Sequence, residues 1–291
     1  MSHTTPSTYR GRFAPSPTGA LHAGSLVAAM ASFLDARAHD GLWLIRIEDI
    51  DPPRDIPGAG EAILDTLFRL GLTSDEPVVW QHDRYDAYEA ALAHLDTQGL
   101  VYGCACSRKE AAARAVASGL APSVYPGTCR EGTHGRPVRA IRFRTTADPI
   151  TFTDRLCGVY TQNVEREVGD FVLKRADGLW AYQLAAITDD IEAGVTDVVR
   201  GADLLDNTPR QIALIRALGG TVPRYCHLPL VLNHDGQKLS KQQGATPLNP
   251  DDLMGELERA WTHLGFPTLG ADSITAFWRT ALPLWQARFG Q

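Results

Sequence analysis

The sequence predicts an α/β fold with a parallel sheet, because apolar segments of strand length alternate with helical patterns near its start. Residues 9–14 can form a short strand that leads into a turn rich in Pro and Gly, a helical pattern begins at Ser25, and Leu42–Ile47 is an apolar segment of strand length. A strand, a helix and a strand within about forty residues indicate a right-handed crossover between parallel strands. The chain of 291 residues is long enough for one large α/β domain or two smaller ones.

The first helix is predicted by the spacing of its apolar residues. These residues recur at helical intervals: Leu26, Val27, Met30, Phe33 and Leu34. Gly41 marks the end of the helix, and the apolar composition of Leu42–Ile47 predicts an interior strand. Ligands of parallel sheets bind beyond the carboxyl ends of the strands. We therefore expect His22 and Glu48 to lie near one crevice.

The remaining elements follow in order. Helices are predicted near 60–70 and 86–98, each ended by a glycine. Between Cys104 and about Tyr160, cysteine, glycine and proline cluster with short strands, and this change of composition predicts an insertion. A later helix is predicted to open with Thr208 as its cap and Pro209 at its first position. The other predicted segments are apolar stretches at 171–174 and 180–187, a strand at 227–232, and helices at 250–264 and 273–288.

Composition limits the possible locations and partners. Apolar residues make up 44% of the chain, but no apolar run approaches the roughly 18 residues of a membrane span. The N-terminus lacks the apolar segment of a secretory signal, so a cytoplasmic location without membrane partners is expected. The net charge of -6 argues against a broad basic face for nucleic acid. Four arginines with partial strand spacing favour a solvated strand face over a local basic patch: Arg136, Arg139, Arg142 and Arg144.

Two distant segments are suited to holding phosphate groups. Pro15, Pro17 and Gly19 stiffen a bend, and His22 and Gly24 stand just before the first helix, whose N-terminus offers unpaired N–H groups to an anion. More than 200 residues downstream, 238–242 brings two lysines into a loop. Each segment alone is typical of an ordinary connection, the first one being a tight turn with a capping Ser25. Together they predict a nucleotide-activating site.

Residues 12–24 read Arg-Phe-Ala-Pro-Ser-Pro-Thr-Gly-Ala-Leu-His-Ala-Gly. This stretch resembles throughout the first signature of the glutamyl family of class I aminoacyl-tRNA synthetases. Lys238–Gln242 is similar to the second signature, with Leu239 and Gln242 as departures. The resemblance spans 10–245. It implies a Rossmann-type catalytic domain of class I with an inserted zinc-bearing α+β subdomain and a short helical C-terminal tail.

The same resemblance implies roles for single residues. The catalytic residues would be His22, Lys238 and Lys241, which would stabilise the triphosphate of ATP in the transition state. Mg²⁺ would accompany the ATP. ATP would be bound by His22, Gly24 and Lys241. Glutamate would be bound by Arg12, Phe13, Ala14, Pro15, Ser16, Glu48, Tyr182 and Arg200. Arginines suit its carboxylates and Glu48 suits its ammonium group.

Two features of this pocket leave alternatives open. The acidic stretch 48–51 is also compatible with a solvated strand end or a divalent-metal cluster. Ala186 occupies the position at which the family typically has Asn. The pocket of this chain therefore lacks one contact to the amino acid that the typical pocket of the family makes.

Cysteine spacing predicts a metal site. Five cysteines are an odd number, and three of them cluster at Cys104, Cys106 and Cys129, which in an intracellular chain indicates metal before disulfide. Three thiolates fill three corners of a tetrahedral zinc site. The chain resembles shortened glutamyl-synthetase paralogues that bind zinc. This resemblance implies that Tyr125 is the fourth ligand of one zinc ion per chain, and His134 is the alternative. Cys157 and Cys226 are expected to be buried.

The resemblance to these paralogues implies the reaction. Glutamate and ATP would form glutamyl-adenylate without tRNA, and the glutamyl group would pass to the queuosine base in the anticodon stem-loop of tRNA(Asp). The expected organisation is a monomer with a catalytic domain in two halves, 1–100 and 166–248, an insertion at 101–165 and a tail at 249–291. Only 49 residues follow Gln242, too few for an anticodon-reading domain of ordinary size.

Three alternative functions remain at this point. The chain could be an ordinary glutamyl-tRNA synthetase that lacks its anticodon domain and charges a tRNA 3′ end. It could be an adenylyl or nucleotidyl transferase that resembles pantothenate synthetase, although Arg12, Glu48, Tyr182 and Arg200 disfavour this assignment. It could also be a degenerate RNA-binding relative, but the presence of both signatures argues against lost chemistry.

Overall fold

The computed structural model describes residues 8–230 and 246–290 of the chain. Their strands and helices follow in this order: β1 (Arg10–Phe13), α1 (Ala23–Ala38), β2 (Leu42–Ile47), α2 (Ala59–Arg69), β3 (Val79–Trp80), α3 (Tyr85–Thr97), β4 (Val101–Cys104), α4 (Arg108–Ala117), β5 (Ala140–Phe143), β6 (Ile150–Asp154), β7 (Gly158–Gln162), α5 (Val164–Glu167), β8 (Val172–Lys174), α6 (Tyr182–Glu192), β9 (Asp197–Gly201), α7 (Thr208–Ala217), β10 (Arg224–Leu228), α8 (Leu253–His263) and α9 (Ile274–Phe289). No helix among these has the length and apolar content needed to cross a membrane.

The described residues divide between two compact units. The first unit takes its residues from 1–81, 194–205 and 223–291, and the second from 82–193 and 206–222. The predicted insertion at 101–165 falls within the second unit.

The first unit is built on parallel strands, as the sequence predicts. β1 pairs with β2 in a register that places Arg12 opposite Leu44, and β2 continues in parallel to β3. Because α1 connects β1 to β2, the predicted strand–helix–strand unit is confirmed. Trp43 near the start of β2 is fully buried, which agrees with an interior strand.

The last two helices complete the core of this unit. α8 and α9 occupy nearly the ranges that the sequence predicts, and both pack against α1. The buried carboxylate of Asp35 on α1 accepts a hydrogen bond of 2.6 Å from the Tyr9 hydroxyl and one of 3.2 Å from the indole N–H of Trp285 on α9. Since a buried carboxylate needs such partners, Asp35 ties the first strand and the last helix to α1.

β9 and β10 form a second parallel pair in the first unit and place Arg200 opposite His227. The prediction of a strand over 227–232 is wrong in its bounds, because β10 begins at Arg224 and ends at Leu228. Pro229 follows directly and has no N–H to donate to a strand ladder, which ends the pairing there.

The second unit contains antiparallel strands beside helices. β5 pairs with β4 and β8, and β6 and β7 form a hairpin. The predicted cap at Thr208 is wrong: a short 3₁₀ turn at 202–207 runs directly into α7, so Asn207 is the capping position and Thr208 is already helical.

The two isolated cysteines differ in burial. Cys226 is buried as predicted, whereas Cys157 is exposed, against the prediction. Cys157 belongs to the β6–β7 turn, in which the backbone N–H groups of Leu156 and Cys157 donate to the carboxylate of Asp154. Turns of this kind lie at the surface, since their backbone groups need water.

The arginine-rich stretch is not the solvated strand face that its spacing predicts. Arg142 is the member that lies within β5. Its guanidinium covers the Tyr125 ring at 3.7 Å, and the guanidinium of Arg144 lies 5.3 Å from the Tyr102 ring. Two of the four arginines therefore pack against aromatic side chains, because a planar guanidinium is attracted to a ring face.

Candidate active site

His22 caps the first helix with its own side chain. Its Nδ1 accepts a hydrogen bond of 3.3 Å from the backbone N–H of Ser25, and its Nε2 lies 3.0 Å from the Ser25 hydroxyl. The alternative in which Ser25 is the cap is therefore wrong. Because Nδ1 accepts, the ring is neutral and carries its proton on Nε2. The imidazole thus lies at the positive end of the α1 dipole, where a phosphate group would also be stabilised.

The segment after the second signature returns to the first one. Pro247 forms a β-bridge with His22, and the N–H of Leu248 donates to the carbonyl of Leu21 at 2.9 Å. Lys238 and Lys241 lie outside the described residues. Pro247, six positions after Lys241 in the sequence, is the residue that the structure places beside His22.

The His22→Asn variant should separate the role of His22 as a helix cap from its proposed role in binding phosphate. Asparagine is a good helix cap, so we expect an almost unchanged melting temperature. The shorter amide reaches a phosphate oxygen less well, and one weakened hydrogen bond to a charged group predicts about a 10-fold lower rate of ATP–pyrophosphate exchange. Thermal melting and the exchange assay measure the two effects. Normal exchange together with an unchanged melting temperature would assign His22 to capping alone.

Glu48 is a buried carboxylate just beyond β2. Its Oε1 lies 3.0 Å from Nη2 of Arg46, and both side chains are buried. Its backbone N–H donates to the carbonyl of Pro15 at 2.9 Å, which fixes Glu48 against the first signature. The ion pair excludes the solvated strand end as a description of Glu48. Sequence reasoning missed Arg46, although its position two residues before Glu48 was a usable signal.

The acidic residues after Glu48 do not form a metal centre in the structure. Within the described residues, the group of three His, Cys, Asp or Glu side chains with ligand atoms close enough to share a metal is Cys104, Cys106 and Cys129. Burial, together with the nearby Asp49, raises the pKa of Asp55. The divalent-metal alternative for 48–51 therefore has no structural support.

Arg200 is held in a buried aromatic and imidazole environment. Its Nε donates to Nε2 of His227 at 3.1 Å, and its Nη2 donates to the carbonyl of Leu204 at 3.3 Å. The ring of Tyr225 lies 5.7 Å from the guanidinium and stacks on His227. Since Nε2 of His227 accepts a hydrogen bond from a cation, this imidazole is neutral. Sequence reasoning also missed His227, because only the pairing of β9 with β10 brings it to Arg200.

Three predicted pocket residues and Arg46 are among the buried charged side chains of the first unit. Arg12 at the end of β1 is buried, as are Arg46, Glu48 and Arg200. Asp35, Asp197 and Glu256 are further buried carboxylates of this unit, so three arginines and four carboxylates are buried in its described part. The N–H of Thr196 before β9 donates to the carbonyl of Arg10, so β1 and β9 begin side by side.

The other predicted pocket residues have varied exposure. Phe13 and Pro15 are buried in the first unit, Ala14 is half-buried and Ser16 is exposed. Tyr182 belongs to the second unit, where it is the first residue of α6. Ala186, in the same helix, is buried.

Three thiols and one phenol meet in the second unit. The Sγ atoms of Cys104, Cys106 and Cys129 lie within 4.8 Å of one another, and all three residues are buried. The Tyr125 hydroxyl is 3.2 Å from Sγ of Cys104 and 3.9 Å from Sγ of Cys106. It also accepts a hydrogen bond of 3.1 Å from the backbone N–H of Cys129. His134 is exposed and does not join this group.

The spacing of these atoms fits a tetrahedral zinc ion. Zn–S bonds of about 2.3 Å imply sulfur atoms about 3.8 Å apart, and Sγ of Cys106 lies 3.7 Å from Sγ of Cys129. Burial raises the pKa of the Cys106 thiol to about 11, and the neighbouring Cys129 thiol contributes to that rise. Thiolate donors suit a soft to borderline cation such as Zn²⁺, and this preference follows from the three cysteine side chains.

A family model described as tRNA synthetases class I (E and Q), catalytic domain, matches residues 8–256. A glutamyl-Q tRNA(Asp) synthetase of Burkholderia cenocepacia is 55% identical over 290 residues, with 97% of each chain covered. The protein of the same name from Burkholderia pseudomallei is 57% identical over 289 residues, again with 97% of each chain covered.

Solved structures show the same relationship at a greater distance. A glutamate tRNA ligase from Elizabethkingia meningosepticum, crystallised in complex with its amino acid, superposes with a TM-score of 0.72 at 30% sequence identity. The match covers 82% of this chain and 53% of that one, so the chain spans about half the length of this structural relative.

Proposed function

Since the chain belongs to the glutamyl-Q tRNA(Asp) synthetase family of class I tRNA synthetases, we propose that it transfers glutamate to queuosine in tRNA(Asp). The observation that carries this proposal is the identity of 55–57% over nearly the whole length of relatives with that name. The reaction would have two steps: glutamate and ATP form glutamyl-adenylate and pyrophosphate, and the glutamyl group then passes to the modified base.

In the first step, a carboxylate oxygen of glutamate attacks the α-phosphorus of ATP and pyrophosphate leaves. His22, Lys238 and Lys241 would hold the phosphate charge, with Gly24 allowing close approach of ATP to the backbone and Mg²⁺ accompanying the nucleotide. The chain contributes position and electrostatic stabilisation here, because no covalent enzyme intermediate is needed.

The amino-acid pocket would use the buried charges of the first unit. Arg12 and Arg200 would pair with the carboxylates of glutamate, and Glu48, held by Arg46, would pair with its ammonium group. Phe13, Ala14, Pro15, Ser16 and Tyr182 would form the wall. Glutamate has one carboxylate for each of these two guanidinium groups, whereas glutamine has only one carboxylate. Glu48 and Arg200 are already hydrogen-bonded in the protein alone, which supports activation without tRNA.

In the second step, a hydroxyl of the queuosine cyclopentene ring would attack the activated carbonyl, giving an ester and AMP. The second candidate is the charging of a tRNA 3′ end, favoured by the likeness to a glutamate tRNA ligase at 30% identity. The two candidates differ in the atom that receives glutamate, so an acceptor experiment separates them.

The acceptor experiment compares three RNAs with radiolabelled glutamate: a queuosine-containing anticodon stem-loop of tRNA(Asp), the same stem-loop with guanosine, and queuosine tRNA(Asp) without its 3′-terminal adenosine. We expect labelling of the first and third RNAs, because the modified base supplies the hydroxyl. ATP–pyrophosphate exchange should proceed with no RNA present. Charging of tRNA(Glu) at its 3′ end, with none on queuosine tRNA(Asp), would establish the second candidate.

We also propose that one zinc ion per chain is bound by Cys104, Cys106, Tyr125 and Cys129. Bound there, zinc would supply cross-links between segments that are distant in the sequence. The proposed organisation is a Rossmann-type catalytic domain interrupted by a zinc-bearing insertion at 101–165 and followed by a helical tail at 249–291, acting as a monomer.

Cys129→Ser should lower the zinc content well below one ion per chain and reduce the thermal stability, since a structural metal contributes directly to folding free energy. Cys157→Ser is the matched control, because Cys157 is exposed and remote from the thiol cluster in sequence. Elemental analysis and thermal melting measure both variants. A full zinc complement in Cys129→Ser would refute the site.

A further inference from the structure

A guanidinium group lies against the ring of the fourth proposed zinc ligand. Cζ of Arg142 is 3.7 Å from the centroid of the Tyr125 ring. This distance is well inside the range of about 6 Å within which a cation is attracted to a ring face. Arg142 belongs to β5, so the contact arises from the fold of the second unit and not from neighbouring positions in the sequence.

Arg142 is itself held firmly. Its Nη1 donates to the carbonyl of Asp170 at 2.6 Å. Asp170 is almost fully buried, and its carboxylate accepts hydrogen bonds from Arg130, Tyr102 and Thr145. In the described part of the chain, no hydrogen-bond acceptor meets the buried Nε of Arg142. The face of the guanidinium, with its Cζ, lies over the Tyr125 ring.

The backbone of Tyr125 is fixed by the same stretch. Its N–H donates to the carbonyl of Val168 at 3.2 Å, and Tyr125 forms a β-bridge with Gly169. Gly169 has φ 75°, and a Cβ there would overlap the Tyr125 backbone. Residues 168–170 thus hold the backbone of Tyr125 on one side and Arg142 on the other, and together these contacts define where the ring lies.

We infer that Arg142 is a positioning residue for the metal site: it holds the Tyr125 ring so that the hydroxyl completes the donor set of three thiols. The inference rests on the proposed zinc site. A tyrosine ring otherwise turns about two side-chain torsions, and loss of the guanidinium would release the hydroxyl from the thiols.

Arg142→Met tests the inference, because methionine keeps a long apolar stem and removes the guanidinium. Zinc affinity is measured on the purified full chain by competition with a chromophoric chelator. We expect the affinity to fall about 10- to 100-fold, the usual size for a residue that orients a metal ligand. Arg139→Met is the matched control, since Arg139 is an exposed arginine three positions away, and its affinity for zinc should not change.

The same substitution in a Tyr125→Phe background shows whether Arg142 acts through Tyr125. Because the ring of this variant has no hydroxyl to position, Arg142→Met should cause no further loss, and the two effects should be strongly non-additive. An equal loss of affinity in both backgrounds, or no loss in the wild-type background, would overturn the inference. If Arg142→Met is insoluble, Arg142→Lys in the same two backgrounds gives the same comparison, because an ammonium group cannot lie flat on the ring.

Different experimental outcomes would refute the zinc site and the inference about Arg142. Unchanged zinc affinity in both Tyr125→Phe and Cys129→Ser would refute the site and the inference with it. Lost affinity in Cys129→Ser, together with full affinity in Arg142→Met, would leave the site standing and overturn the inference alone.

Discussion

Lys241→Ala is expected to lower the rate of glutamate-dependent ATP–pyrophosphate exchange by about 100-fold or more, the size observed when one donor to developing transition-state charge is removed. Negative charge moves onto the leaving pyrophosphate in the adenylation step, and an ammonium group offsets it. Lys241 lies outside the described residues, so this expectation comes from the signature at 238–242 and from the return of Pro247 to His22.

Two measurements serve as controls for this result: the melting temperature of Lys241→Ala and the exchange rate of a second lysine variant. The melting temperature of Lys241→Ala should remain close to that of the wild type, because the variant removes no described core contact. Lys109→Ala, which changes an exposed lysine of α4, should leave the exchange rate unaltered. A normal rate of ATP–pyrophosphate exchange in Lys241→Ala would contradict the assignment of the second signature to phosphate chemistry.

Arg200→Ala is expected to reduce kcat/KM for glutamate in the exchange reaction by at least about 100-fold, because removing one partner of a buried charge pair costs several kcal/mol. Arg12→Ala should have a similar effect, since each guanidinium would pair with a carboxylate of the amino acid. The KM for ATP should change little in either variant. Steady-state exchange at varied glutamate and ATP concentrations separates the two parameters.

Glutamine tests the charge argument without a mutation. It should be activated poorly by the wild-type protein, because its neutral side chain leaves a buried guanidinium without an anionic partner. Arg114→Ala, an exposed substitution on α4, should leave the kinetics of glutamate unchanged. Equal activation of glutamine and glutamate by the wild type would show that the charge-based description of the pocket is wrong.

The parts of the protein that depend on local sequence could be predicted closely. Apolar spacing and a stiff turn predict β1, α1 and β2, and both terminal helices lie near their predicted ranges. The errors also have local causes that were overlooked. Pro229 ends β10 where a longer apolar run suggested a strand, and a 3₁₀ turn replaces the expected cap at Thr208.

The sequence by itself determined which residue types are available: the first signature with His22, the carboxylate after β2, and three clustered cysteines. Only the tertiary structure decided how they are held. Arg46 pairs with Glu48, His227 accepts from Arg200, and the Tyr125 hydroxyl lies among the thiols. The last two contacts join residues that are distant in sequence, and the geometry of all three depends on side-chain packing and, for His227, on strand register. Packing and register are properties of the whole fold, because a shift of one residue would turn each side chain to the opposite face.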